Sequence, residues 1–142
     1  MKKRKSFEDA RIYEYTSAAN PDLVEQPVLT HPASLHEHGE TRIIPFDLSK
    51  QMGLGYAATS PNLLASFLRI NPNDTLETGA VATSQAFYII RGKGSTKYTE
   101  SDTIEWEQGD LFVIPSALGP EAKKAIHTAV EDTAIYMVSD EP

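Results

Sequence analysis

The chain contains no cysteine, which removes disulfides, thiolate-held zinc and a cysteine nucleophile together. It has no apolar run near the roughly 20 residues that a membrane-spanning helix needs. No early apolar segment resembles a signal peptide, and the absence of cysteine fits the expectation of a cytoplasmic protein. Basic charge is also scarce: 13 Lys and Arg stand against 20 Asp and Glu, for a net charge of −7. That balance disfavours a partner with a phosphate backbone. The one basic cluster, Lys2-Lys3-Arg4-Lys5, reads as a solvated tail, since neither aromatic nor further basic density follows it. Neither nucleic acid nor membrane is expected as a partner. There is no Gly-any-Ser-any-Gly elbow for a serine nucleophile. The Gly92-any-Gly94 pair precedes no helix and is no phosphate loop.

What remains is a 142-residue sequence, one domain by length, with 40% hydrophobic and 23% charged residues. Residues 1–40 are polar and broken by Pro21, Pro27 and Pro32. They read as an arm that wraps a domain or reaches a neighbour, with a short helix near Phe7–Tyr15. Residues 41–142 alternate short β-type runs with turns. Thr41–Leu48 starts the series, and Pro45 demotes it to an edge. Asn62–Ile70 follows and ends in Asn71-Pro72-Asn73-Asp74, a turn by composition. Ser84–Arg91 is closed by Gly92-Lys93-Gly94. Ser95–Thr99 and Thr103–Trp106 form a hairpin around Glu100-Ser101-Asp102. Gln108-Gly109-Asp110 turns the chain into Leu111–Pro115. Ala125–Val130 and Thr133–Ser139 are expected to form a last hairpin around Glu131-Asp132. Such a succession of short strands must hide its edges, which a barrel or jelly roll does. In Phe87–Ile90 both faces are apolar, as for a strand covered on both sides by a second domain or subunit. Trp106 is expected in the core or at the barrel rim.

Two segments carry a family resemblance. Ser84-Gln85-Ala86-Phe87-Tyr88-Ile89-Ile90-Arg91-Gly92-Lys93-Gly94 resembles the end of the first cupin motif. Trp106-Glu107-Gln108-Gly109-Asp110-Leu111-Phe112-Val113-Ile114-Pro115 resembles the opening of the second. The likeness runs from about Leu63 to Val138, and the two halves keep their order and separation. Within cupins the sequence is similar to the first domain of gentisate 1,2-dioxygenase-like bicupins. There an Ile-Ile-Glu-Gly-Lys-Gly type segment corresponds to Ile89-Ile90-Arg91-Gly92-Lys93-Gly94. The resemblance implies an all-β cupin double-stranded β-helix, an RmlC-like jelly roll, with an extended N-terminal arm. Because the sequence ends at Ser139-Asp140-Glu141-Pro142, near such a domain's linker, a first cupin domain or a derivative of one is expected.

Metal-dependent cupins hold a divalent ion through three His and one Glu. Imidazole and carboxylate suit Fe, Mn, Ni or Zn. Carried across, the His-any-His pair falls on Gly79 and Val81, the Glu near Gln85, and the last His on Pro120. An expanded loop Ser116–Ala125 would instead bring His127 to that last position. Gly79, Val81, Gln85 and His127 are therefore the barrel-pocket candidates. The plainer reading of His127 is a hydrogen-bonded or exposed strand histidine. His36-Glu37-His38 has ligand spacing, because i and i+2 share a face of an extended chain. It lies in the arm, however, with no Glu at the family's distance, and reads more simply as a solvated loop. No bound metal is expected.

Three functions stay open on these residues. One is a metal-free structural and dimerisation half of a bicupin, forming a homodimer or joining a second cupin domain. Another is an oxygenase using a divalent metal through His127 and unconventional partners, with His36 and His38 as weak candidates, acting on a small aromatic or carboxylate substrate. The third is a sensor or carrier that holds a small organic acid inside the barrel. No catalytic residue can be named.

Overall fold

The computed structural model describes residues 30–79, 82–99, 101–115 and 124–140. The segment around Phe7–Tyr15, the basic tail, Val81 and Pro120 lie outside the described residues. Among the described residues are strands β1 (Arg42–Pro45), β2 (Leu64–Ile70), β3 (Thr75–Thr78), β4 (Ser84–Arg91), β5 (Lys93–Lys97), β6 (Thr103–Glu107), β7 (Leu111–Pro115), β8 (Ala125–Ala129) and β9 (Thr133–Ser139). Two single-turn helices join them, α1 (Ser34–Glu37) and α2 (Ser49–Met52). The strands form a five-stranded sheet in the order β1-β2-β9-β4-β7 and a four-stranded sheet in the order β3-β8-β5-β6. Every pairing is antiparallel. The two sheets face each other across one core, which makes the jelly roll expected from the sequence. No helix among the described residues is long and apolar enough to cross a membrane.

Strand alternation builds that core. Gln85, Phe87 and Ile89 of β4 point inward, and their register partners Ser139, Met137 and Ile135 on β9 do the same. Leu68, Ile70, Phe87, Ile89 and Ile135 are fully sealed from solvent. Burial of each such side chain contributes about 2–3 kcal/mol. Trp106 is buried in this core, as the sequence suggested.

Several expectations need correction. Ala125–Val130 and Thr133–Ser139 do not form a hairpin. β8 pairs with β3 and β5 in the small sheet, and β9 pairs with β2 and β4 in the large one. The turn at Glu131-Asp132 is thus a corner between sheets, and the two apolar faces meet across the core instead of side by side. The chain makes the same crossing from β4 to β5, so Lys93 and Gly94 belong to a strand, and the turn is confined to Gly92. Strand β3 went unforeseen. It has four residues, and Leu76 is its one apolar side chain. Helix α1 lies within the segment read as an arm. Strand β7 covers the residues expected of it.

The two crossings are tied together. Pairing of β4 with β9 shifts register between Ile89 and Arg91, and the extra residue re-aims Arg91 to the outside. There the Arg91 Nε donates to Asp132 Oδ2 at 2.9 Å, and Arg69 of β2 bridges Asp132 Oδ1 at 2.9 Å. Both guanidiniums also donate to the His36 carbonyl, at 2.9 and 3.0 Å, which docks α1 on the large sheet. At the corner itself Gly92 has φ +96°, and a Cβ there would lie 2.8 Å from the Asp132 carbonyl oxygen.

Gly92→Ala is expected to destabilise the fold by about 3 kcal/mol or more, from left-handed strain plus collision with backbone. Gly53→Ala is the control: φ is +67° but nothing lies within 4 Å, so only the conformational cost of about 1 kcal/mol applies. Urea denaturation of both variants checks the difference, and equal losses would show that the corner is not tight.

Candidate functional site

The inner face of the small sheet carries a chain of buried polar groups. Register places His127 of β8 directly opposite Thr96 of β5 and Leu76 of β3. His127 is fully buried, and its ring centroid lies 4.9 Å from that of Phe87 on the facing sheet. The Thr96 hydroxyl is 2.7 Å from Nδ1, and the Thr78 hydroxyl is 2.9 Å from Nε2. The Trp106 indole N–H donates to the same Thr96 oxygen at 2.8 Å. Gly94 makes room for the indole, since a Cβ there would sit 2.9 Å from Trp106 Cζ2. Each hydroxyl can donate to or accept from an imidazole nitrogen, so either neutral tautomer is satisfied. Desolvation pushes the His127 pKa down to about 4, because burial penalises the charged ring.

A second polar group lies on the inner face of the large sheet. Gln85 is paired across strands with Ser139, and Ser139 with Leu64, two positions from Ser66. These three side chains are at least nine-tenths buried. Gln85 Oε1, Ser66 Oγ and Ser139 Oγ have no hydrogen-bond partner among the described residues. Buried polar atoms normally have one. Both serines were missed from the sequence, although each is a polar interruption of an inward apolar series, as in Leu64, Ser66, Leu68 and Ile70. Thr78 and Thr96 carried no such signal, because their importance arises only when β3 and β5 flank β8.

The remaining candidates are dispersed. Gly79 lies just past β3, exposed beside the Lys124 side chain, and Val81 is outside the described residues. His36 is buried in α1 on the outer face of the large sheet, edge-on to Phe67 at 4.6 Å, with Nδ1 unpartnered among the described residues. His38 caps that helix and is exposed. The adjacent spacing therefore does not produce a shared face, because a helical turn intervenes. His36 and His127 lie on opposite sides of the large sheet and do not meet. Among the described residues no group of three or more His, Asp or Glu is placed to hold a metal ion. The cupin ion needs several anionic or imidazole donors. Among the described residues the interior offers one imidazole with both nitrogens engaged, and one amide. That donor set does not fit the ion.

The sequence matches no protein-family model and no curated protein. Solved structures do match. A cupin superfamily protein from Desulfitobacterium hafniense superposes with a TM-score of 0.56 over 83% of this chain and 97% of that one, at 13% identity. An RmlC-like cupin protein from Desulfovibrio desulfuricans gives 0.52 over 72% and 85%, at 11% identity. The chain has the cupin fold. Salicylate 1,2-dioxygenase from Pseudoaminobacter salicylatoxidans also superposes, with a TM-score of 0.51 and 22% identity. The match covers 69% of this chain but 25% of that enzyme, so the cupin chain spans about a quarter of the dioxygenase's length.

The buried imidazole sets a pH dependence. An unfolded chain protonates His127 near its ordinary value of 6.5, whereas the folded chain keeps it neutral down to about 4. Between these values the unfolded state binds more protons, so stability is fully present above 6.5 and falls as pH drops toward 4. From pH 7 to pH 5 this one group should remove about 2 kcal/mol. His127→Gln should flatten the profile by that amount relative to the parent, measured by urea denaturation at both pH values. Identical slopes would show that His127 is not sealed as a neutral ring.

Proposed function

We propose that this cupin domain is structural: a metal-free barrel that serves as the scaffold and association half of a gentisate dioxygenase-like bicupin or a relative derived from one. The observation that carries this reading is the engagement of both His127 nitrogens by Thr78 and Thr96. A metal would have to displace one of these hydroxyls, and no second imidazole or carboxylate among the described residues of the interior would complete the shell. Trp106, Thr96, His127 and Thr78 then act as a polar pin in an otherwise apolar core. Such satisfied networks rigidify a core.

Metal content tests the proposal. Pure protein incubated with ferrous, manganous, nickel and zinc salts, then desalted, should carry far less than one ion per chain by mass spectrometry. About one tightly held ion per chain would overturn the metal-free reading and favour the oxygenase.

The unpartnered Gln85, Ser66 and Ser139 oxygens favour one other reading, a small organic acid held at that end of the barrel. The Gln85 carbonyl would accept from an acid or phenol hydroxyl, and the serines would donate to its oxygens. An aromatic acid bound there should raise the melting temperature, because it binds only the folded state. Gln85→Leu should abolish that rise. Without ligand the same variant should hold or raise the melting temperature, since it removes an unsatisfied group. A screen of aromatic acids that moves no melting temperature would sink this reading.

A further inference from the structure

Three arginines from three strands hold residues 35–40 by their backbone. Arg42 of β1 donates to the Leu35 and Glu40 carbonyls at 3.1 and 3.2 Å. Arg69 of β2 donates to the His36 and Gly39 carbonyls at 2.9 and 3.0 Å. Arg91 of β4 adds a bond to the His36 carbonyl at 3.0 Å. The helix inside this segment, α1, is a single turn with no side-chain cap at its start, far below the length at which a helix holds itself. A further anchor is the His36 ring, since the residue is 6% exposed and packs edge-on to Phe67. Its Nδ1 is buried and has no hydrogen-bond partner among the described residues. A titratable ring is thus sealed at the middle of a segment that cationic side chains hold in place.

We propose that His36 is an acid-operated catch: when its ring takes up a proton, residues 35–40 leave the outer face of the large sheet while the barrel beneath stays folded. A proton taken up in place makes a buried cation whose Nδ1 has no acceptor, and both the charge and the bare N–H are costly there. The charged groups around it add to that cost. Arg69, Arg91 and Arg42 approach from β2, β4 and β1, all positive. Asp132, at the corner between β8 and β9, is negative but already bridged by Arg69 and Arg91. Glu37, on α1 itself, is negative and exposed to solvent. Phe67 of β2 and Tyr136 of β9, next to it, bring no charge. The other imidazoles of the segment's surroundings lie apart from this contact: His31 stacks on Phe46 at 4.0 Å, and His38 is exposed. Burial first, and then the Arg91 charge, hold the His36 pKa below its ordinary value of 6.5, with Glu37 opposing. The released segment therefore binds more protons than the docked one between the lowered value and 6.5. Docking is complete above 6.5 and weakens as pH falls through the lowered value. Release leaves Arg69 and Arg91 still bridged to Asp132, so the tie between the sheets persists while the segment moves.

Hydrogen exchange followed by nuclear magnetic resonance at pH 7 and pH 5, corrected for the intrinsic effect of pH, tests the catch. In the parent the Leu35 and His36 amides and the Arg69 Nε–H should lose protection severalfold, and by more than the Phe87 and Ile89 amides of the core. His127→Gln removes the other buried imidazole and should leave that loss in place. His38→Gln, at the exposed neighbour, should leave it too, whereas His36→Gln should abolish it. Should His36→Gln undock the segment at both pH values, titration of the His36 ring in the parent decides: a midpoint below 6.5 supports the catch. Equal protection at both pH values, a loss no larger than that of Phe87 and Ile89, a loss that survives in His36→Gln, or a midpoint at or above 6.5 would each overturn it. None of these readouts depends on metal content, so the catch and the scaffold reading stand or fall separately.

Discussion

A neutral imidazole sealed inside a barrel needs a partner for each ring nitrogen, and much of the architecture follows from that need. Leaving either nitrogen bare would cost about 1–3 kcal/mol. His127 is satisfied only because β8 lies between β3 and β5, which brings Thr78 to one side and Thr96 to the other. The same arrangement gives the Trp106 indole N–H its acceptor. A change in the register of β5 by one residue would turn Thr96 outward and strand both groups. The small sheet is therefore locked in register by polar contacts, while the large sheet relies on the packing of Leu68, Phe87, Ile89 and Ile135.

The corner at Asp132 does the corresponding work between sheets. One carboxylate receives Arg69 and Arg91, and both arginines reach the His36 carbonyl. Arg69 is buried, so the pair exists in a partly desolvated setting where losing one partner matters more than at an exposed site. The bulge before Arg91 is what makes this tie available. Without it the side chain would point into the core, with no counter-ion. Helix α1 is too short to be stable alone and owes its position to these guanidiniums and to the Phe67 ring.

The sequence made the barrel legible where strands were long and turns chemically marked. Gln108-Gly109-Asp110 announced the start of β7, and Gly109 does take φ +94°. Pro45 marked β1 as an edge, and β1 is the terminal strand of its sheet. Strand β3 was hidden because Thr75-Leu76-Glu77-Thr78 offers one apolar residue, too few to define a period. The supposed last hairpin failed for a different reason: two apolar runs around a short turn read alike whether they pair side by side or face each other across a core. Pairing is a tertiary choice. The site was half legible. His127 and Gln85 were singled out by family likeness, and both point inward. Their surroundings were not readable, since Thr78 and Thr96 acquire a role only through register.

Gln85 shows how the interior chemistry holds together. The family likeness puts a Glu near this position, where it would help bind an ion. A carboxylate at Gln85 in the present barrel would face Ser139 on one side and Ile114 on the other, with no basic side chain at either register position. An ionised group buried without a partner costs far more than an amide in the same place, and it would shift its pKa upward and stay protonated rather than remain charged. The amide leaves one carbonyl oxygen unpaired, a penalty of about 1–3 kcal/mol. Among the described residues the other interior donor is one imidazole hydrogen-bonded at both nitrogens, so on the metal-free reading a carboxylate would gain no ion to offset its desolvation. Glutamine at 85, threonine at 78 and 96, and a histidine held neutral are thus mutually consistent, each tolerable because the others exclude a charge from the barrel.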